Sequence, residues 1–301
     1  MNIKVSIVIP TFGRPENLLR AISSVMRQTY NNLEIIVVDD NGKGSENQIK
    51  TEELLNDEKY KDIIYIVLPN NKGGGIARHY GIEKASGEVI TFLDDDDYYL
   101  CNKVEVQLRH LIVNNLDISL CDMIIESDGS SRFKHSKRYS NAKGININEF
   151  LIDGVAFTPM IMVRKNILLS AGGFLDTPRF QDHTLMLKLF LITDKVGHVE
   201  SKLFVHCSNM NTRVSNSPKS LKGFLIRHRL ENYVMKNQRN IVEQVKFNQC
   251  AQVSPFLYKR RGYNKYVSFM IWSLNYNLSV KNVLLTFARV LKISCLAIFK
   301  D

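Results

Sequence analysis

The segment VSIVIPTFGRPENLLRAISSVMRQTYNNLEIIVVDD, residues 5–40, changes its apolar spacing twice. Short β-branched runs at its two ends are typical of buried strands. Between them, residues 15–28 carry apolar side chains at helical spacing, and Pro15 suits a first helical turn. A strand, a helix and a second strand in this order predict a parallel βαβ unit with a right-handed crossover. We therefore expect an α/β fold with a mostly parallel sheet flanked by helices.

The same alternation continues after residue 40. A polar helix, a third strand, a glycine-rich loop that opens a helix, and a fourth strand are predicted from SENQIKTEELLNDEKY (45–60), DIIYIVLP (62–69), GGGIARHYGIEKASG (73–87) and EVITFL (88–93). In sheets of this kind, ligands bind outside the carboxyl ends of the strands. Both aspartate clusters, Asp39–Asp40 and Asp94–Asp97, directly follow predicted strands. The sequence therefore predicts a ligand site at this edge of the sheet.

The remaining sequence divides into a sheet-forming part and a helical tail. Strands are predicted from DISLCDMIIES (117–127), FTPMIMVRK (157–165) and HVESKLFVH (198–206), and a helix from RFQDHTLMLKLFLITD (179–194). Beyond about Ser217 the sequence reads as helical, basic and aromatic. We expect a sheet-forming domain at 1–215 and a basic helical C-terminal region at 216–301.

Charge is distributed unevenly along the chain. The whole chain carries a formal net charge of +10, but the part from Lys202 onward has 17 basic and 3 acidic residues, a net charge of +14. The preceding residues therefore carry a net charge of −4. Such asymmetry is typical of a basic part that meets nucleic acid or an anionic membrane.

The cysteines and the N-terminus narrow the class of protein. Five scattered cysteines without a CxxC pair argue against a disulfide framework and a cysteine zinc site. The opening MNIKVSIVIPTF lacks the regions of a signal peptide, and no stretch of eighteen uncharged apolar residues occurs. We expect a cytoplasmic protein, or one peripheral on the cytoplasmic face of the inner membrane.

Four adjacent carboxylates in EVITFLDDDDYYL, residues 88–100, repel one another. They must be solvated, or neutralised by a cation. An EF-hand calcium loop is excluded because its D-x-D-x-D-G spacing and distal glutamate are absent. The residues alone leave the solvated loop and the metal site open.

Three segments carry a resemblance to a known family. The opening resembles a strand ending in P-x-[YF]-N-x, a helix ending near SxxxQTY, and a strand ending in VVDDGS. NNKGGGIARHYGIEKASGEVITFLDDDDYYL, residues 70–100, is similar to N-x-G-x-x-x-A-R-N-x-G-I-x-x-A-x-G-E-Y-I-x-F-L-D-x-D-D, and FQDHTLMLKL, residues 180–189, to x-E-D-x-D-L-W-L-R-L. These are motifs of family 2 glycosyltransferases of the GT-A fold, in the family's order. The resemblance covers roughly residues 1–215 and leaves out the tail.

The resemblance implies a site for a UDP-sugar and a divalent cation, Mn²⁺ or Mg²⁺. Hard cations of this kind bind one or two carboxylates together with substrate phosphates. Asp96 is the expected metal ligand, and Asp94 and Asp95 are expected to reach the ribose or water around the metal. Asp97 is expected to be structural, as a cap for the next helix. His206 is either a further metal ligand or a structural residue at a strand end.

The resemblance also assigns residues to the nucleotide. Asp40 is expected to accept a hydrogen bond from the uracil imide, and Phe12 to stack on the base beside Thr11. An alternative for Phe12 is a place in the apolar core. Lys72 and Arg78 are expected to meet phosphate oxygens, with a surface ion pair as the alternative for Arg78.

Asp182 is the catalytic residue that the resemblance implies. The family's aspartate at this position is the general base that removes a proton from the acceptor hydroxyl. The sequence departs from the family pattern at Gln181 and Thr184, which replace acidic residues. The alternative is an acidic residue that stabilises a helix N-terminus. A single displacement assisted by such a base inverts the anomeric configuration.

The last helix carries its basic residues on one side. At about 100° per residue, they fall within an arc of roughly 100°, with apolar residues elsewhere. These residues are Lys281, Arg289, Lys292 and Lys300. The pattern favours docking on an anionic membrane surface. The alternative is a helix packed on the catalytic domain; no nucleic-acid-binding module is recognised.

Three functions follow as hypotheses. The first is an inverting, metal-dependent hexosyl- or N-acetylhexosaminyltransferase that moves a sugar from a UDP-sugar to a glycan or lipid-linked acceptor in bacterial surface polysaccharide biosynthesis. A sugar nucleotidylyltransferase would need a glycine-rich, arginine-containing signature after the first strand, which PTFGRPE does not supply. A non-catalytic nucleotide- or metal-binding module would be favoured if Asp182 lay far from the metal. For the first of these functions, Arg213 is expected to belong to a mobile loop that closes over the phosphates of the UDP-sugar.

Overall fold

The computed structural model describes residues 2–127, 136–208, 220–261, 263–277 and 279–298. The chain divides into two compact units, Met1–Arg227 and His228–Asp301. This boundary falls inside a helix, later than the division expected from the sequence at 215/216. Arg213 lies outside the described residues.

Unit one contains a nine-stranded sheet. Its strands are β1 (Val5–Thr11), β2 (Leu33–Asp39), β3 (Ile64–Val67), β4 (Val89–Phe92), β5 (Tyr98–Tyr99), β6 (Ile118–Ser127), β7 (Ser136–Ser140), β8 (Ile161–Arg164) and β9 (Val196–Ser208). The helices are α1 (Pro15–Met26), α2 (Glu46–Leu55), α3 (Gly74–Lys84), α4 (Lys103–Val113), α5 (Ile147–Asp153), α6 (Lys165–Ser170) and α7 (Gln181–Phe190); α8 (Ser220–Val234) spans the boundary. Short 3₁₀ turns occupy Glu58–Tyr60 and Thr158–Met160.

The strand order is β3-β2-β1-β4-β8-β6-β9-β5, and β7 pairs with β6. Strands β1 to β4 are parallel neighbours, and β6 and β9, a second parallel pair, run in the same direction because β8 between β4 and β6 is antiparallel to both. Strands β5, β7 and β8 oppose this direction. The mostly parallel sheet predicted from the sequence is confirmed.

The register of β1 brings two groups of polar residues to one edge. Thr11, at the end of β1, pairs with Asp39 at the end of β2. On the other side of β1, Val8 pairs with Phe92 at the end of β4. Every residue of β1 is buried, as its continuous apolar run predicts for a central parallel strand. The loops that follow β1, β2 and β4 therefore meet outside the sheet.

Several short elements had no signal in the sequence. Strand β5 follows the four aspartates directly and pairs with β9 through Tyr98–Val205 and Tyr99–Phe204. Two residues are too few to display an alternating pattern, so β5 depends on its partner strand. Strand β7 and helices α5 and α6 were also not predicted, and the 3₁₀ turn takes the first part of the strand predicted at 157–165.

Unit two is helical, as predicted. It contains α9 (Val242–Arg261), α10 (Tyr263–Ser273) and α11 (Val280–Ile298), together with 3₁₀ turns at Met235–Asn237 and Arg239–Ile241. Ala251, Tyr266 and Met270 form its buried apolar cluster, and Val267 and Val290 pack against them. No helix in the described part of the chain has both the length and the apolar character needed to cross a bilayer.

Candidate active site

A cavity of about 710 Å³ opens at the carboxyl edge of the parallel strands in unit one. The ends of β1, β2 and β4, the loop before α3, the start of α7 and α8 all contribute to its wall. Its polar lining includes Thr11, Arg14, Asp40, Lys72, Arg78, Asp94, Asp95, Gln181 and Lys222. Phe12 also lines the cavity and is 53% exposed, which excludes the core position considered for it.

Asp40 joins the end of β2 to the loop before α3. Its two carboxylate oxygens accept hydrogen bonds from the backbone N–H groups of Lys72 (2.6 Å) and Gly73 (2.7 Å). Gly73 has φ +89°, a left-handed conformation that glycine adopts at little cost. Burial raises the pKa of Asp40, although the two N–H groups favour the charged form. The Lys72 side chain is exposed at the cavity.

Asp95 is buried and its carboxylate is held by the end of β1. It accepts from Thr11 Oγ1 (2.8 Å) and from the backbone N–H of Phe12 (3.2 Å), and it pairs with Arg14 at 2.6 Å. Burial raises the pKa of Asp95 to about 7. These contacts connect Asp95 to the end of β1 and to the residues that follow it. The expected contact with the ribose stays a prediction.

Asp94, Asp96 and Asp97 form a carboxylate cluster. One oxygen from each lies within 4.8 Å of the others. Burial raises the pKa of Asp96, and the neighbouring charge of Asp94 adds to that effect while Arg14 opposes it. The three carboxylates therefore lie close enough together for the charge of Asp94 to disfavour ionisation of Asp96.

Asp97 connects this cluster to β9. It pairs with His206 Nδ1 at 3.1 Å and accepts from the Cys207 backbone N–H at 2.9 Å. The suggested helix cap at Asp97 is wrong, because β5 follows the aspartates and Asn102 is the N-cap of α4. Burial raises the pKa of Asp97, and the carboxylates raise that of His206 despite its own burial. His206 thus contacts the carboxylate cluster by its pair with Asp97.

Arg14 is a site residue that the sequence did not reveal. Its guanidinium pairs with Asp95 and Asp96. Burial lowers the pKa of Arg14, but Asp95, Asp96 and Asp94 together raise it above its ordinary value. The position falls at the variable residue of the P-x-[YF]-N-x pattern, so the motif gave it no weight.

Arg78 connects the aspartates to α7. It is buried, it pairs with Asp94, and its Nη1 donates to Gln181 Oε1 at 2.7 Å. The surface ion pair considered for Arg78 is therefore wrong, since Arg78 is buried and its partner Asp94 is only partly exposed. A Cβ at Gly75 would lie 2.9 Å from the Leu175 carbonyl oxygen, so glycine allows α3 to approach the segment before α7. Gln181, where the family pattern has glutamate, thus has a defined partner.

Asp182 lies in the first turn of α7 and accepts from the His183 N–H at 2.7 Å. Burial raises its pKa to about 6; the charge of Asp94 also raises it, and Arg78 lowers it. These interactions place Asp182 in the electrostatic environment of the aspartate cluster.

Phe180 precedes α7 in a left-handed conformation, with φ +63°. The guanidiniums of Arg179 and Arg227 lie 4.6 Å and 5.0 Å from the centre of its ring, and the centre of the Phe224 ring lies 4.7 Å away. A non-glycine residue in this region is strained unless its surroundings hold it. These aromatic and cationic contacts hold Phe180 in place at the N-terminus of α7. No pattern in the sequence predicted them.

The donor set suits a hard divalent cation. Three carboxylates with converging oxygens are the ligands that Mg²⁺ and Mn²⁺ prefer. The cluster includes Asp94 and Asp97 in addition to the Asp96 expected from the sequence. Whether Asp96 and His206 bind a metal stays a prediction.

Comparison with known families identifies the chain's family. The model for glycosyl transferase family 2 matches residues 6–170, more than half of the chain. The chain therefore belongs to glycosyl transferase family 2, and the family inferred from the sequence motifs is confirmed.

Relatives match over parts of their length. A Rickettsia bellii glycosyltransferase is 40% identical over 116 residues, 38% of this chain and 16% of that protein. A Haemophilus influenzae glycosyltransferase is 36% identical over 126 residues, 40% of this chain and 48% of that protein. Glycosyltransferase GlyG of Streptococcus pneumoniae is 25% identical over 214 residues, 67% of this chain and 70% of GlyG. The first two alignments thus span less than half of each relative.

A solved structure shares the fold. S. aureus TarS 1–349, in complex with UDP-GlcNAc, aligns with a TM-score of 0.67 and 17% identity, over 89% of this chain and 81% of that chain. At this identity the similarity concerns the fold alone. The predicted GT-A fold is confirmed.

Proposed function

We propose that the protein is an inverting glycosyltransferase that moves a sugar from a UDP-sugar to a hydroxyl group of an acceptor. The observation that carries the proposal is the chain of contacts from the aspartates through Arg78 to Gln181, next to Asp182. It connects Asp94 to the residue that directly precedes the proposed base in the chain.

The donor side of the proposal involves residues of the cavity wall. The exposed ring of Phe12 offers a stacking surface for uracil in the cavity that Thr11 and Asp40 also line. Lys72 and Arg78 supply positive charge for phosphate oxygens. That a TarS structure contains UDP-GlcNAc supports a UDP-sugar donor here.

Asp94, Asp96 and Asp97 would hold Mn²⁺ or Mg²⁺, with His206 beside them. When bound, the cation would supply Lewis-acid stabilisation of negative charge on the diphosphate. Arg14 would have to share or release Asp96, since its guanidinium occupies that carboxylate.

Asp182 is proposed as the general base. A bond forms between the acceptor oxygen and the anomeric carbon while the bond from that carbon to the β-phosphate oxygen breaks. The bonding electron pair leaves with UDP, and the hydroxyl proton passes to Asp182. One displacement on the face opposite to the leaving group inverts the configuration.

The acceptor is proposed to be a glycan or lipid-linked saccharide of bacterial surface polysaccharide synthesis. The transferred group is a hexosyl or N-acetylhexosaminyl residue. In this proposal the protein works peripherally on the cytoplasmic face of the inner membrane, and the basic C-terminal region supports that location.

The test is a screen of UDP-sugars with Mn²⁺, first by thermal shift and then by release of UDP. Asp96→Ala and Asp182→Asn are expected to lose UDP release by at least about 100-fold, the usual scale for a general base. Asp62→Asn, which changes an exposed aspartate before β3, is the matched control and should keep full activity. Full transfer by Asp182→Asn would exclude it as the base, and failure of every UDP-sugar to bind would exclude the donor class.

A further inference from the structure

Helix α11 turns apolar side chains toward solvent. Val283, Leu284, Leu285 and Phe287 are exposed, with exposed fractions from 37% for Leu285 to 63% for Phe287. At about 100° per residue these four positions cover roughly half of the helix circumference. A water-facing helix normally presents polar residues there.

Across the helix from these residues, α11 buries two polar side chains, Asn282 and Thr286. Asn282 is fully buried and donates to the Gln244 side-chain carbonyl (3.2 Å) and to the Asn277 backbone carbonyl (3.1 Å). Thr286, one turn later, is also buried, and Val290 packs on the apolar cluster of unit two. Over residues 281–290, where the side chains are described, the packing of unit two therefore covers Asn282 and Thr286 and leaves the four apolar residues exposed.

The net charge of unit two indicates which kind of partner the exposed side of α11 would bind. Residues 228–301 contain 12 basic and 3 acidic residues, a net charge of +9. Two copies of such a unit repel each other, whereas an anionic surface attracts it. Lys281 is exposed on the first turn of α11, beside the apolar residues. The neighbouring helix α10 also exposes apolar side chains, Ile271 and Trp272.

We propose that the exposed face of α11, formed by Val283, Leu284, Leu285 and Phe287, inserts into the surface of a bilayer that contains anionic lipids. Apolar side chains enter the boundary of the acyl chains while basic residues meet the headgroups. This inference rests on the part of the proposed function that places the protein at a membrane. It does not depend on the transfer reaction, because vesicle binding is measured without donor or acceptor.

The test is flotation of the full chain with vesicles of phosphatidylcholine, with and without phosphatidylglycerol. The full chain should float with the anionic vesicles and should bind much less to neutral ones or at high salt. Leu284→Asp combined with Phe287→Asp should weaken binding roughly tenfold or more, since both side chains lose their apolar contact. Lys281→Ala should weaken it about fivefold.

Val113→Asp is the matched control, because Val113 is 70% exposed at the end of α4 in unit one. It should bind vesicles like the wild type, and circular dichroism should show all variants folded. The proposal is overturned if the wild type stays in solution with anionic vesicles, or if the double variant floats as well as the wild type. It is also overturned if the wild type is a dimer that the double variant dissociates without any lipid binding.

Discussion

At the residue scale, Asp182 sets the expected pH dependence of transfer. A base must be deprotonated, and burial raises the pKa of this carboxyl to about 6. We therefore expect kcat to be constant above this pH and to fall about tenfold per pH unit below it. A pH profile of UDP release for the wild type and for Asp62→Asn checks this. A profile that stays flat to one pH unit below 6 would contradict the assignment.

Arg14 occupies a carboxylate that the proposed cation needs. Arg14→Ala should lower the metal-free free energy of unfolding by about 1–3 kcal/mol, because buried Asp95 loses a charged partner. The same variant should gain more stability from Mn²⁺ than the wild type, because no guanidinium competes for Asp96. Thermal shifts with and without Mn²⁺ measure both effects, and Arg14→Lys is the control that keeps the charge. A smaller Mn²⁺ shift in Arg14→Ala would show that Arg14 does not compete.

Lys103 is a buried cation in the core of unit one. Its described hydrogen bonds go to Thr91 Oγ1 and to the Tyr99 hydroxyl, and burial lowers its pKa from 10.5 to about 7. Between these two values the unfolded chain binds more protons than the folded chain. The free energy of unfolding should therefore rise with pH in this window, by up to about 1.4 kcal/mol per unit.

Lys103→Met should abolish this contribution. Urea unfolding at pH 7 and pH 9.5 measures the difference between the two proteins, and other titrating groups cancel in the comparison. The gain in stability between the two pH values should be larger in the wild type than in the variant. Equal gains would mean that Lys103 titrates normally.

Sequence motifs predicted the placement of most site residues, because the carboxyl ends of parallel strands meet at one edge. The tasks of individual residues depended on contacts that no pattern contains. Arg14 lies at a variable motif position, and Asp97 pairs with His206, which is distant along the chain. Asp95 was expected to reach the ribose or water around the metal, which stays a prediction, and its place in a buried network with Thr11 had no signal in the sequence.

At the element scale, the junction between α3 and α7 determines the position of the proposed base. A methyl group at Gly75 would press on the Leu175 carbonyl and on the Gln181 side chain. Gly75→Ala should therefore destabilise the protein by about 1–3 kcal/mol, although alanine is the better helix former. It should also lower kcat, because Gln181 holds Arg78 and adjoins Asp182.

Gly74→Ala provides the comparison for that variant. A methyl group there would meet the end of the Arg78 side chain at 3.0 Å, and a flexible guanidinium can move. Its effect on stability should be smaller than that of Gly75→Ala, measured by urea unfolding. Equal effects would indicate that the backbone contact at Leu175 is unimportant.

Elements whose own sequence carries a clear apolar pattern were predictable. Elements that form only because they pair with another strand were not. Strands β1, β2 and β4 are apolar runs of the central sheet, and their sequences indicate them directly. Strand β5 exists because β9 offers hydrogen bonds to Tyr98 and Tyr99. In α11 the basic stripe was visible in the sequence, but the exposure of the apolar side emerged only when Asn282 was found buried.

At the scale of the whole molecule, binding of the donor should raise the free energy of unfolding. A ligand that binds only the folded protein stabilises it by about 2.7 kcal/mol at a concentration of 100 Kd. UDP with Mn²⁺ should therefore raise the midpoint of thermal unfolding, and removal of Mn²⁺ with EDTA should abolish most of that shift. Asp96→Ala should lose the Mn²⁺-dependent part. A shift by UDP that is unchanged in EDTA would contradict the metal-assisted site.

The exposed indole of Trp272 makes tryptophan fluorescence a property of unit two. The chain has one tryptophan, and it lies on α10 in unit two, with Tyr276 at its edge at 5.3 Å. Tryptophan emission during denaturation therefore follows unit two alone, while far-ultraviolet circular dichroism follows both units. Coincident unfolding curves would mean that the units melt as one cooperative body, and separated curves would assign a stability to each. The native protein thus contains a spectroscopic label for its C-terminal unit.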